Sequence, residues 1–173
     1  GLHFSDLMED GKYYVDKTLL IKDILDTDDR GIHLYVRPRR FGKSTNITML
    51  DSFFNIKYRG NTWFDELIIS EHEEYDCYKN RFPVIYLNLK DIVPSKGRDF
   101  RYFLDRFKSV LAYSLDDFGY LLESEHIDAY EKDLLNSILY RNMDDIHIVD
   151  SIRILWNMLR KHHGSNTVIL IDE

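Results

Sequence analysis

The chain has 173 residues, the length of one domain with a real core, and its 44% hydrophobic and 31% charged residues are the balance of a globular protein rather than a disordered one. A net charge of −7 argues against the broad basic face that nucleic acid requires, and a single cysteine, Cys77, excludes an internal disulfide and fits a reducing compartment. With no run of roughly 18 apolar residues and no signal-like start, the expectation is a soluble cytoplasmic protein with no membrane partner, Gly1 reading as a processed or engineered beginning.

In chain order, "YYVDKTLLIKDILD" predicts a helix with Asp16 as N-cap and Leu19, Leu20, Ile24 and Leu25 along one side. "GIHLYV" (Gly31–Val36) is a short apolar run that predicts a buried strand. "KSTNITMLDSFFNI" follows, with Ile47, Leu50 and Phe54 at helical spacing. "GNTWFDELIIS" reads as a turn anchored by Trp63, Phe64 and Leu67, and Asp76–Arg81 as the end of a short helix. "FPVIYLNL" predicts a second buried strand, with Pro83 at its start, where strands tolerate it. From Arg98 to about Arg141 the pattern is that of two long helices broken near Gly119–Ser124. "IHIVDSIRILWNMLRKHHG" predicts another helix, closed by His162, His163 and Gly164, and "TVILIDE" a last buried strand ending in two carboxylates. No repeat, low-complexity tract or linker marks an internal boundary, so residues 1–173 read as one domain.

The segment "RPRRFGKST" (Arg37–Thr45) carries the chemistry. A phosphate-binding loop reads G-x-x-x-x-G-K-[ST] between a strand and a helix, and here Gly42, Lys43 and Ser44 fall in register while Arg37 stands at the first glycine. Gly42 lets the backbone approach phosphate oxygens with no Cβ in the way. The amides that follow form a nest at a helix start, where the dipole favours an anion. Lys43 would reach the β/γ-phosphates and the Ser44 hydroxyl would ligate Mg²⁺. Pro38 pushes Arg37 toward extended backbone and has its own φ fixed, so the first position needs no positive φ; Arg37, Arg39 and Arg40 surround the anion site with cations. Asp172, ending the last strand, would hold Mg²⁺, and Glu173 would polarise the attacking water.

Other chemistry is weaker. The histidines show no H-E-x-x-H pattern, and His72 with Cys77 is an isolated pair. The aromatic run Phe100, Tyr102, Phe103, Phe107, Tyr113, Phe118, Tyr120 has near-helical spacing, which reads as a core face before it reads as a base-stacking platform. No G-x-S-x-G elbow is present.

"YYVDKTLLIKDIL", "LYVRPRRFGKSTNITMLDSFF", "FPVIYLNL" and "VILIDE" together resemble the AAA-ATPase-like family of bacterial and archaeal proteins, over almost the whole chain. In that family a Y-x-V-D-K-T segment precedes an R-P-R-R-F-G-K-[ST] loop, and a hydrophobic strand ending in D-E follows, so arginine at the loop's first position belongs to the pattern. The resemblance implies an α/β P-loop NTPase core of the additional-strand type, a parallel sheet flanked by helices, cut after the strand ending in Asp172–Glu173. It implies ATP and Mg²⁺ as ligands: Arg37, Pro38, Arg39, Arg40, Phe41, Gly42, Lys43, Ser44 and Thr45 around the nucleotide, Ser44 and Asp172 at the metal, Lys43 and Glu173 in catalysis. ATP over GTP rests on the resemblance, since no guanine-reading N-K-x-D motif occurs. Family members are usually longer, often with a nuclease-like C-terminal domain, so the implied activity is ATP hydrolysis by the full-length parent, weak or absent in this segment. The alternatives are a nucleotide-gated signalling scaffold that binds but barely hydrolyses, and a small-molecule phosphotransferase.

Two further expectations follow. Adenine would lie against Phe4, Leu7 or Tyr14, unless these are plain packing of an N-terminal arm, while the Asp16–Thr18 turn braces the loop. In the additional-strand class another strand lies between the loop strand and the Asp172 strand. Gly31–Val36 and Thr167–Ile171 would then present open apolar edges that close on each other or pair with a neighbouring molecule.

Overall fold

The computed structural model describes residues 3–27, 32–36, 41–92 and 99–172, apart from the side chains of Asp91 and Val149. Its helices and its parallel strand pair make an α/β chain organised as two compact units, Gly1–Phe82 and Pro83–Glu173.

The first unit is built round helix α3 (Lys43–Phe54). The spacing of Ile47, Leu50 and Phe54 foretells the helix, but burial extends over Thr48 through Phe54 in succession, because neighbouring segments cover its C-terminal half on several sides. Phe53 packs edge-on against Phe64 at 5.3 Å, and Phe64 stacks on Phe4 at 4.9 Å. Phe4 begins helix α1 (Phe4–Glu9), whose first amide donates to Thr48 Oγ1 at 3.0 Å and so pins this arm to α3. Helix α2 (Leu19–Asp26) turns Ile21 inward, and Leu19 is exposed rather than buried. Its N-cap is Thr18; Asp16, expected in that role, has a different task described below. The turn after Asn61 buries Phe64 as expected, and Ile69, in the short 3-10 segment Ile68–Glu71, is as deep. Helix α4 spans Glu74–Tyr78, a little earlier than its expected end.

Asn80 then closes the far end of α3. Its side-chain amide donates to the carbonyls of Ser52, Phe53 and Asn55 at 2.9, 3.1 and 2.9 Å, and its backbone N–H donates to Phe53 at 2.7 Å. The last turn of a helix has carbonyls without intrahelical donors, and Asn80 supplies them while holding a positive φ of 54°.

In the second unit, strand β1 (Val84–Asn88) pairs in parallel with β2 (Val168–Asp172), in register from Val84 opposite Val168 to Asn88 opposite Asp172. Between them run α5 (Phe100–Leu115), a 3-10 stretch Asp116–Glu123, α6 (Ala129–Leu139) and α7 (Asp145–His163). Ile85 and Leu87 point into a core with Leu111, Leu115, Leu135, Leu155 and Leu159. Helix starts and stops follow local chemistry. Asp99 caps α5 by accepting from the Tyr102 amide, and Asp128 and Glu131 form a reciprocal capping box on α6. Gly164, at φ 65°, ends α7 in the left-handed conformation that glycine adopts without Cβ strain.

Two further sequence expectations are corrected. Ile32–Val36 form no strand and are exposed, Ile32 completely. An apolar run becomes a strand only where a partner strand satisfies its backbone, and among the described residues β1 and β2 pair with each other. The aromatic run is core only in part: Phe118 joins the core and Phe107 packs against it, while Phe100, Phe103, Tyr113 and Tyr120 are exposed. The buried face of α5 is Leu111, Ala112 and Leu115; Phe100, Phe103 and Phe107 stack on one another along the helix, at 6.0 and 6.1 Å between rings.

Candidate functional site

Gly42 is the N-cap of α3 at φ 76°, ψ 16°, a left-handed conformation that a side chain would strain. Its carbonyl accepts the Asn46 amide at 2.9 Å, so Lys43 is the first residue inside the helix. Helix geometry then points the amides of Lys43, Ser44 and Thr45 out of the N-terminal end, where the dipole is positive. Phe41, just ahead, is exposed. Arg37, Pro38, Arg39 and Arg40 lie outside the described residues.

The segment Asp16–Lys17–Thr18 comes up against this helix start. Asp16 Oδ1 accepts from the Thr18 amide at 2.8 Å and from its hydroxyl at 2.6 Å, while Oδ2 accepts from the Ile68 amide at 2.7 Å. Thr18, fully buried, accepts from the Ile69 amide at 3.2 Å. Burial works to raise the Asp16 carboxyl, but the hydrogen bonds from Ile68 and Thr18 outweigh it and hold the group below the usual carboxylate range. Both flanking residues are thus spent on anchoring the turn to the Ile68–Glu71 segment. Lys17 between them sends its ammonium to 3.6 Å from the point where a Cβ on Gly42 would stand. The expected place of the Asp16–Thr18 turn at the loop agrees with Lys17 beside Gly42, whereas the link from Asp16 to Ile68 was not legible from spacing, since it joins residues 52 apart in sequence.

Phe4 and Leu7 are buried among apolar neighbours, and Tyr14 meets Phe4 edge-on at 5.2 Å. Phe4 is therefore core, with no face left for adenine, and the packing reading of this arm holds for it.

In the second unit, Asp172 ends β2 with 4% of its surface exposed. Its backbone carbonyl accepts the Leu89 amide at 2.7 Å, and its Oδ2 accepts from Lys90 Nζ at 2.7 Å. Lys90 sits just beyond β1, and the register that sets Asn88 opposite Asp172 carries it there. Nothing in the sequence singled out Lys90. Glu173 lies outside the described residues. The structure thus gathers Gly42, Lys43, Ser44, Thr45 and Lys17 at one helix end, and Asp172 with Lys90 at the ends of the paired strands.

No group of three or more His, Cys, Asp or Glu side chains able to hold a metal occurs among the described residues. Mg²⁺ at a phosphate site takes most of its oxygens from phosphate and water, needing only one or two protein oxygens. The Ser44 hydroxyl and Asp172 carboxylate are donors of that kind. No described helix is long and apolar enough to cross a membrane.

Compared with known proteins, residues 2–173 match the family model described as "Predicted AAA-ATPase". No curated protein and no solved structure matches the chain. With a left-handed glycine capping the helix that opens on Lys43 and Ser44, and with the family match running nearly end to end, the chain belongs to the AAA-ATPase-like family.

Proposed function

We propose that this chain is the ATP-binding module of a Mg²⁺-dependent P-loop NTPase that hydrolyses the β–γ phosphate bond. Family membership supports a general nucleotide-hydrolase role; the finer reading rests on the start of α3. The observation that carries it is Gly42 in the left-handed region immediately before Lys43. That backbone brings consecutive amides to bear on one point and leaves no Cβ between them and a phosphate oxygen. Lys43 would meet the β/γ-phosphates, and Arg37, Arg39 and Arg40 would add to the positive field around them. Ser44 and Asp172 would hold Mg²⁺, and Glu173 would orient the attacking water. Mg²⁺ held by these residues would supply neutralisation of the phosphoryl charge.

The test is calorimetry with Mg·ATP on the chain and its Lys43→Ala variant, with turnover measured with and without Glu173→Gln. Loss of binding in the first and of turnover in the second is expected. Unchanged affinity after Lys43→Ala would end the phosphate-loop reading.

One observation favours the second reading, a scaffold that binds nucleotide and hydrolyses it poorly. Oδ2 of Asp172 already carries the Lys90 ammonium, which would compete with a metal for the carboxylate. Normal Mg·ATP affinity with turnover that rises on Lys90→Met would support it.

A further inference from the structure

We propose that Lys17 is a second phosphate-binding cation of the same site, delivered to the loop by the Asp16–Thr18 clamp. The inference rests on the phosphate-loop reading and adds a residue that the loop motif does not contain.

Three observations carry it. Lys17 Nζ lies 3.6 Å from the Cβ position of Gly42, over the bare face of the loop glycine. The residues on either side of Lys17 are tied down by four hydrogen bonds of 2.6 to 3.2 Å, two within the turn and two to the Ile68 and Ile69 amides. The turn is therefore held rigidly while the lysine side chain stays exposed and projects past it. The third observation is electrostatic. Gly42 caps the N-terminal, positive end of the α3 dipole, and the helix opens on a second lysine, Lys43. A cation at that end opposes the dipole and contributes nothing to stability by being there. The same position becomes favourable once a multiply charged anion sits between the ammonium groups and the amides. A nucleotide's polyphosphate has that charge, and inorganic pyrophosphate shares its chemistry.

The experiment is calorimetric titration of the chain with Mg·ATP and, separately, Mg·pyrophosphate, for the parent, Lys17→Met, Lys17→Arg and Lys43→Ala. Thermal unfolding of each variant is followed in parallel. Lys17→Met should weaken both ligands by roughly 10-fold, the size of one charge-assisted hydrogen bond, and flatten the salt dependence of binding. Lys17→Arg should recover most of the affinity, and the unfolding midpoint should hardly move, since Asp16 and Thr18 do the anchoring. Weakening of ATP alone would place Lys17 on the nucleoside side and overturn the assignment. Loss of binding in Lys43→Ala with none in Lys17→Met would discard Lys17 and leave the loop reading standing. No binding of either ligand by the parent would remove both.

Discussion

The ammonium of Lys90 lies 2.7 Å from Oδ2 of Asp172, joining the end of one strand to the end of its parallel partner. Asp172 is nearly buried while Lys90 is 39% exposed on its side chain, so the pair is only partly shielded from solvent. Removing the lysine leaves a carboxylate in a poorly solvated place without that counter-ion. Lys90→Met should lower the stability of the chain by about 1–2 kcal/mol, less than for a fully buried pair. The double variant with Asp172→Asn should lose less than the sum of the singles, and urea unfolding of the cycle measures the coupling. If Asp172 meets Mg²⁺, thermal stabilisation by Mg·ATP should also be larger in Lys90→Met than in the parent. An equal or smaller shift would remove Asp172 from the metal.

Asp51 predicts a pH dependence. It is buried on α3, accepts from Asn55 Nδ2 at 2.7 Å and more weakly from the Tyr58 hydroxyl, and also faces Lys57 and His3. Burial raises its carboxyl above the ordinary aspartate value, and the hydrogen bonds and neighbouring cations only partly offset this. The folded state therefore keeps the proton to higher pH than the unfolded state does. The contribution of this group to stability is greatest below the ordinary value and is lost as pH rises through the raised one. Asp51→Asn, which keeps the Asn55 contact, should be stabilising at neutral pH, on the order of 1 kcal/mol, and neutral in acid. Chemical unfolding across pH 3–8 checks the sign; a variant weakened at neutral pH would show that the charge is compensated.

Asn80 is expected to be among the costliest polar positions. Asn80→Ala strips the side-chain donor from the carbonyls of Ser52, Phe53 and Asn55, leaving Phe53 only the backbone N–H, and keeps a positive φ, a loss of about 2–4 kcal/mol. Asn80→Asp should be worse at neutral pH, because a carboxylate then faces three carbonyl oxygens, and should improve in acid. Unfolding midpoints of the two variants at low and neutral pH test this ordering.

Gly42→Ala separates conformation from space. An added Cβ meets Lys17 Nζ at 3.6 Å, an ordinary contact, so crowding is not the difficulty. The φ of 76° is, at a cost of about 1 kcal/mol. The expected result is that modest destabilisation together with a larger loss of Mg·ATP affinity, measured by unfolding and calorimetry. Affinity that falls no further than stability would mean the left-handed backbone is not presenting amides to phosphate.

What the sequence by itself determined is what neighbours along the chain decide. The start of α3 at Gly42–Lys43, the Asp99 cap of α5, the capping box of α6, the glycine stop of α7, and the apolar runs of β1 and β2 are set within a turn or a few residues. There, propensity, caps and periodicity act directly. Pairing partners and buried faces are another matter. Ile32–Val36 has a strand's composition and forms none, because a ladder needs a second chain segment that composition cannot name. The α5 aromatics have a helix's period, yet tertiary packing turned Leu111 and Leu115 fully inward and brought only Phe107 of those aromatics against the core. Asp16 has a cap's chemistry, yet the amide of Ile68 claims its carboxylate, and Lys17 is thereby carried to Gly42. Those contacts join residues tens of positions apart, and only the folded chain, closing those loops at an entropic cost, selects among the partners the sequence allows.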